Sequence, residues 1–157
     1  MIEVRKLLPD EGPVLISLIE ALAAYESLDP PEPTAQARLI HDLFCERPRV
    51  EAYLALVDGV PVGYTFIFET YSTLLALPTL FLEDLFVLPP YRKQRVGSAL
   101  FRAMVREAHA RGCGRMEWQV LDWNQLAIDV YQHYGAKHMK EWQSYRLVRA
   151  DMERVLG

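Results

Sequence analysis

Two adjoining segments carry residues whose types could do chemistry. The first is "FLEDLFVL", where Glu83 stands among Phe81, Leu82, Leu85 and Phe86. A carboxylate on so apolar a run is costly unless it is paired or has a task. Both readings are open from composition alone. The second follows at once: "PPYRKQRVG" gathers Arg92, Lys93, Gln94 and Arg95 ahead of Val96 and Gly97, where an amphipathic run begins. A helix N-terminus offers unpaired backbone N–H groups and the positive end of the helix dipole. Placed after a strand, it suits an anion such as phosphate. Gly97 would let a ligand approach the backbone closely. A solvated basic turn accounts for the same residues equally well. The chain contains neither G-x-x-x-x-G-K-[ST] nor G-x-G-x-x-G, so neither familiar phosphate fingerprint applies.

The elements that must position these residues read as follows. "IEVRKL" is short and alternating, as a strand should be. In residues 10–26, Val14, Leu15, Leu18, Leu22 and Tyr25 recur at helical spacing. The proline-rich "DPPEPT" is a loop. A second, shorter helix is expected over 34–46. Residues 50–71 form two β-rich runs around Asp58-Gly59, a favoured tight-turn pair. "TLFLEDLFVL" suits a central buried strand. Gly97, Leu100, Phe101, Met104, Val105 and Ala108 make a helical stripe that stops at Gly112. "RMEWQVLDW" is a strand, and "NQLAIDVYQHYG" a helix capped by Asn124 and ended by Gly135. "AKHMKEWQSYRLV" is expected as a last strand. The order β-α-α-β-β-β-α-β-α-β predicts one α/β (α+β) domain over 1–157, built around a single mixed sheet.

The bulk properties narrow the function. The net charge of −4 argues against a protein that coats nucleic acid. No apolar run is long enough to span a membrane, and the N-terminus lacks a signal pattern. A cytoplasmic location is expected, with Cys45 and Cys113 as free thiols. The four histidines, His41, His109, His133 and His138, show no metal-ligand spacing with cysteine or with each other, so no metal is expected.

"LEDLFV" with its following "YR" loop, "GSALF", "DWNQLAIDVYQHYGA", "ALAAYE" at the end of the first helix and the final "YRL" together resemble the GCN5-related N-acetyltransferase family. They are most similar to its diamine (spermidine/spermine) branch. The resemblance implies a mixed, mostly antiparallel sheet of about six or seven strands, splayed at two central parallel strands and flanked by about four helices. It implies acetyl-CoA as co-substrate and a small-molecule primary amine as acceptor. Leu85, Phe86 and Val87 would offer main chain to the pantetheine. Arg92, Lys93, Gln94, Arg95, Val96, Gly97 and Ser98 would cradle the pyrophosphate. Asn124, Gln125, Ala127 and Tyr131 would border the far side of the cofactor. By the same resemblance Glu83 is the general base, since the attacking amine must be neutral, and Tyr131 is the acid that protonates the leaving thiolate. Tyr25, Glu26, Glu83, Asp84, Glu117, Trp118, Gln119 and Glu141 are the amine-binding candidates. Arg95 stands where the family has glycine, and "KHMKEW" is less acidic than the branch, which disfavours a long polyamine. A homodimer is expected. A non-catalytic acyl-CoA-binding module and a protein N-acetyltransferase are the alternatives.

Overall fold

The computed structural model describes all 157 residues. The chain divides into two compact units, Met1–Gln119 and Val120–Gly157. The first holds β1 (Ile2–Lys6), α1 (Gly12–Tyr25), α2 (Pro33–Phe44), β2 (Glu51–Val57), β3 (Val60–Ser72), β4 (Leu77–Val87), α3 (Val96–Ala110) and β5 (Arg115–Trp118). The second holds α4 (Gln125–His133) and α5 (Arg149–Leu156). No helix is long and apolar enough to cross a membrane.

The strands form one sheet in the order β1-β2-β3-β4-β5, antiparallel except for the parallel β4–β5 pair. The β2–β3 hairpin turns where expected. Asp58 and Gly59 both have positive φ, 49° and 81°, as a tight turn with the sheet's twist requires. The parallel pair needs a crossover, which α3 supplies.

Two apolar faces cover the sheet. On one, Leu15 and Leu18 of α1 and Leu43 of α2 pack on Leu54, Tyr64, Phe66 and Phe86. On the other, Val96, Leu100, Met104 and Ala108 of α3 pack on Val62, Ile67, Leu80, Leu82 and Val87. Each fully buried aliphatic side chain contributes about 1.5–3 kcal/mol, so α1 and α3 are held chiefly by these stripes. Arg111 closes the C-terminal end of α3 against the sheet, with ion pairs to Glu51 at 2.8 Å and Glu107 at 2.9 Å.

The sheet has five strands, fewer than expected. Residues 136–148 form no strand, and all but Ala136 are exposed. Met139, Trp142, Tyr145, Leu147 and Val148 of this segment are exposed, with no neighbouring strand to cover them. The helix after them, α5, was not anticipated. It is stabilised along its surface by Arg149–Glu153 and Arg154–Asp151 pairs. β5 is also shorter than "RMEWQVLDW" suggested.

Candidate active site

The site begins with an irregularity in β4. Along β3, Phe66 pairs with Asp84 but Ile67 pairs with Leu82, so Glu83 is an extra, bulged residue. The bulge switches the faces of the strand. Before it, Leu80 and Leu82 face α3. After it, Leu85 and Val87 face α3, and Asp84 and Phe86 turn to the α1 side. With unbroken alternation Asp84 would share the α3 face with Leu80 and Leu82. The Thr65 hydroxyl donates to the Asp84 carbonyl at 2.5 Å, which pins the bulge.

The two acids of "LED" therefore differ. Glu83 is exposed. Asp84 is half-buried, and burial, with the Glu83 and Glu26 carboxylates nearby, pushes its pKa up to about 6. Glu26, just past the end of α1, is also raised by burial. Around these acids stand aromatic rings. Tyr25 and Tyr64 each lie 6.2 Å from Phe86, and Tyr64 meets Phe66 edge-on at 5.5 Å. Carboxylates beside aromatic faces suit a cation.

Next to this cluster the sheet opens. β4–β5 pairing ends at Leu82–Trp118, whereas β4 runs on to Val87. Past Leu82, β4 keeps β3 on one side and has no strand on the other. The main chain of Leu85, Phe86 and Val87 lies at this opening, as the expected splay requires. Gly63 sets how closely β3 approaches here: a Cβ on it would come within 2.6 Å of the Phe86 carbonyl oxygen.

After β4, Pro89–Tyr91 make one 3-10 turn and lead to the basic loop. Lys93 and Arg95 both adopt left-handed backbone, at φ 59° and 69°. Arg95 is the residue before α3, and the first helical bond joins the Ala99 N–H to the Arg95 carbonyl. The N–H groups of Val96, Gly97 and Ser98 thus precede the helical ladder, at the positive end of its dipole. A Cβ on Gly97 would meet only ordinary contacts at 3.8 and 4.0 Å, so packing inside the chain does not require glycine there. A ligand passing close to the backbone would. Val96 to Ser98 and the β4 edge fit the pyrophosphate and pantetheine of acetyl-CoA.

Arg92 has another task. Its Nε donates to the Val87 carbonyl at 2.9 Å, and its guanidinium lies over the rings of Tyr25, at 4.1 Å, and Phe86, at 5.4 Å. The side chain is thereby drawn away from the phosphate set. The Gln94 amide donates to the Pro90 carbonyl, shaping the loop.

Of the other expected residues, Glu117 and Trp118 stand on β5. Trp118 packs edge-on to Phe101, on the α3 face, opposite Tyr25 and Asp84. Glu117 is exposed and paired with Arg115 at 2.7 Å. Gln119 and Glu141 are exposed. In the second unit the Asn124 side chain accepts from the Ala127 N–H and caps α4, while Gln125 donates to Asp129. Tyr131 lies on α4, and burial pushes its phenol up to about 12.

Sequence reasoning missed two features. Tyr64, read only as part of a hairpin strand, is fully buried, and its hydroxyl has no hydrogen-bond partner. The expectation that no histidine had ligand spacing to a cysteine also needs correcting. His41 and Cys45 are four apart on α2 and its C-cap, and with Asp42 their ligand atoms lie within 4.8 Å of one another. The His41 ring is turned to Asp42 at 3.3 Å, and the Cys45 thiol to the Arg47 carbonyl.

Comparisons with known proteins bear on the family and the fold. The chain is 40% identical over 108 residues to an L-ornithine N5-acetyltransferase of Arabidopsis thaliana, covering 68% of this chain and 47% of that protein. It spans about half of that relative's length. It is 31% identical over 154 residues to the thialysine N-epsilon-acetyltransferase of Sus scrofa, covering 91% and 90%. Among solved structures, an integron cassette protein of V. cholerae superposes with a TM-score of 0.83 at 20% identity, over 99% of this chain and 97% of that one. That likeness speaks for the fold. The acetyltransferase (GNAT) family pattern matches residues 17–136. The chain belongs to the acetyltransferase (GNAT) family and is an acetyl-CoA-dependent N-acetyltransferase.

Proposed function

We propose that this enzyme acetylates the side-chain primary amine of an amino-acid-like substrate, or a short diamine. The observation that carries this reading is the half-buried Glu26–Asp84 acid pair, framed by Tyr25, Tyr64 and Phe86, beside the open edge of β4. Half-buried acids favour an alkylammonium guest, while the faces of Tyr25 and Phe86 are already taken by the Arg92 guanidinium. The names of the relatives point to ornithine and thialysine, both of which carry such an amine.

Acetyl-CoA supplies the activated acyl group. The main chain of Leu85, Phe86 and Val87 holds the pantetheine arm at the strand edge. Lys93 to Ser98 bind the pyrophosphate, chiefly through backbone N–H groups, with Lys93 and Arg95 adding charge. The family resemblance assigns Asn124, Gln125 and Ala127, at the start of α4, to cofactor binding. An alkylamine is protonated at neutral pH, so a carboxylate of the "LED" step, Glu83 or Asp84, must take a proton before attack. Tyr131, still a phenol at neutral pH, hands a proton to the departing sulfur. No residue in this scheme calls for a metal.

The exposed hairpin tip between β3 and β4, with Tyr71, Leu74, Leu75 and Leu77, supports a homodimer through this face. The free thiols Cys45 and Cys113 are in keeping with a reducing, cytoplasmic setting. An acetylation screen over ornithine, thialysine, diamines, polyamines, aminoglycosides and peptides, read by thiol release, tests the function. The proposal expects turnover with the first three classes. Turnover with peptides alone would overturn it.

A further inference from the structure

Arg92 is the half-buried cation of the basic loop; Lys93 and Arg95 after it are exposed. Its Nε donates to the Val87 carbonyl at 2.9 Å, and its guanidinium lies 4.1 Å from the centre of the Tyr25 ring and 5.4 Å from that of Phe86. What the first contact does depends on where that carbonyl points. The Leu88 N–H donates back to the Val62 carbonyl of β3 at 2.8 Å. Val87 C=O and Leu88 N–H belong to one trans peptide unit, so they point to opposite sides. The Val87 carbonyl therefore points away from β3, to the side where this end of β4 has no neighbouring strand. The Phe86 carbonyl lies toward Gly63 of β3, so the Val87 N–H also faces the opening. The ladder repeats every second residue, which adds the N–H and carbonyl of Leu85 to the open side. Of these four backbone groups, Arg92 occupies the last.

An extended guest with amide groups pairs with such an edge as an added strand. Where nothing marks the end of the edge, the pairing can slip by two residues, about 7 Å. A side chain seated on the last carbonyl marks that end. We propose that Arg92 is a positioning residue for the acyl donor. It closes the open edge of β4 at Val87, so that the donor's arm pairs with Leu85 and the Val87 N–H alone. It also ties this edge to Tyr25 at the end of α1, next to Glu26. The inference rests on the proposed placement of the pantetheine arm along β4, and goes beyond it by fixing where the pairing stops. It separates Arg92 from the phosphate-binding set, to which its charge and its place in the loop would assign it. A guanidinium suits both contacts: its planar face stacks on a ring while its Nε–H stays free for the carbonyl. The result is a thioester carbon held in one register beside Glu83 and Asp84. A misplacement of about 1 Å at a reacting centre costs up to about a hundredfold in rate.

Three variants separate the roles of arginine. Arg92→Met removes both contacts. Arg92→Lys keeps the charge but has a methylene where arginine has Nε, and Arg92→Gln places an N–H donor there without the charge. Calorimetry measures binding of acetyl-CoA and of S-acetylpantetheine, which lacks the pyrophosphate. Arg92→Met should weaken both donors by the same factor, because the lost contacts bear on the arm they share. A loss confined to acetyl-CoA, of about tenfold or more as for a hydrogen bond to a charged group, would make Arg92 a phosphate ligand and overturn the proposal. With L-ornithine, or whichever amine of the screen is turned over, Arg92→Met and Arg92→Lys should lose about tenfold to a hundredfold in kcat. Arg92→Gln should recover most of that loss. Better rescue by lysine than by glutamine would overturn the proposal, since charge alone would then suffice. So would an unchanged kcat in Arg92→Met with only a lower Tm, which is the signature of mere packing. A wild-type measurement needs no variant: by NMR, the Arg92 Nε–H should keep its coupling across the hydrogen bond to the Val87 carbonyl carbon when CoA binds. Replacement of that coupling by one to phosphorus would refute the proposal. If no amine is turned over, the acetyl-transfer reading falls, while the two donor affinities and the Nε–H coupling still decide the role of Arg92.

Discussion

Arg95→Gly is a direct test of the phosphate loop. Arg95 stands at φ 69° and ψ 8°, immediately before α3, with its side chain exposed. Left-handed backbone costs a residue with a Cβ about 1–2 kcal/mol. Glycine removes that strain but gives the unfolded chain more freedom, which offsets about 0.4–1 kcal/mol. The net expectation is a gain of about 0.5–1 kcal/mol. For a chain of this size that is a rise in Tm of about 1–4 °C. Affinity should move the other way. What a phosphate requires from this position is a backbone N–H, which arginine provides, and the guanidinium adds a charge-assisted contact. Its loss should weaken acetyl-CoA binding about two- to fivefold, on the scale of an exposed ion pair. Calorimetry gives both quantities, and Arg95→Lys, which keeps the charge, should retain most of the affinity. Tighter binding by Arg95→Gly would show that the arginine obstructs the loop, and the reasoning would fail.

Three further outcomes are expected. Gly63→Ala would force a Cβ to 2.6 Å from the Phe86 carbonyl; a loss of about 1–3 kcal/mol in denaturant titration, with a fall in kcat, should result. Asp84 holds its proton to higher pH when folded, so its contribution to stability falls as pH rises from about 3.8 to about 6; Asp84→Asn should therefore be more stable than the wild type at pH 8, by up to about 3 kcal/mol, and not at pH 4, as thermal melts at the two pH values will show. Glu11 is the opposite case: the Arg5 guanidinium, at 2.7 Å, holds its carboxyl at about 2. Its contribution is complete above about pH 4.5 and is lost as pH falls toward 2, so Glu11→Gln should lower Tm at pH 7, by an amount that reflects about 1 kcal/mol after solvent screening, and match the wild type near pH 2.

The elements that position the site were legible because each carries its own local signal. The stripes of α1 and α3 have helical period, Asp58-Gly59 dictates its turn, and Gly112 and Gly135 end helices with positive φ. The β4 bulge was not legible. It has no glycine or proline to mark it, and it is defined by its register with β3, a relation between distant residues. That one inserted residue decides which acid of "LED" faces α1, so the sequence pointed to Glu83 where the structure gives the half-buried position to Asp84. Tyr64 was hidden for a similar reason, since an unpaired hydroxyl is known only from its surroundings. Arg92 looked like a phosphate ligand by charge and place, yet Tyr25, far away in sequence, draws it off. The last segment was expected as a strand, but its apolar residues Met139, Trp142, Tyr145, Leu147 and Val148 are exposed and form none, and the charge pairs that mark α5 went unread.

The measurement that bears most directly on the account is thiol release from acetyl-CoA by the wild-type enzyme with L-ornithine as acceptor, followed from pH 5 to pH 9. The account predicts turnover, with kcat/KM rising as Asp84 ionises near pH 6 and an acetylated side-chain amine as product. Absence of turnover with ornithine, thialysine and every other small primary amine, at any pH in that range, would contradict it.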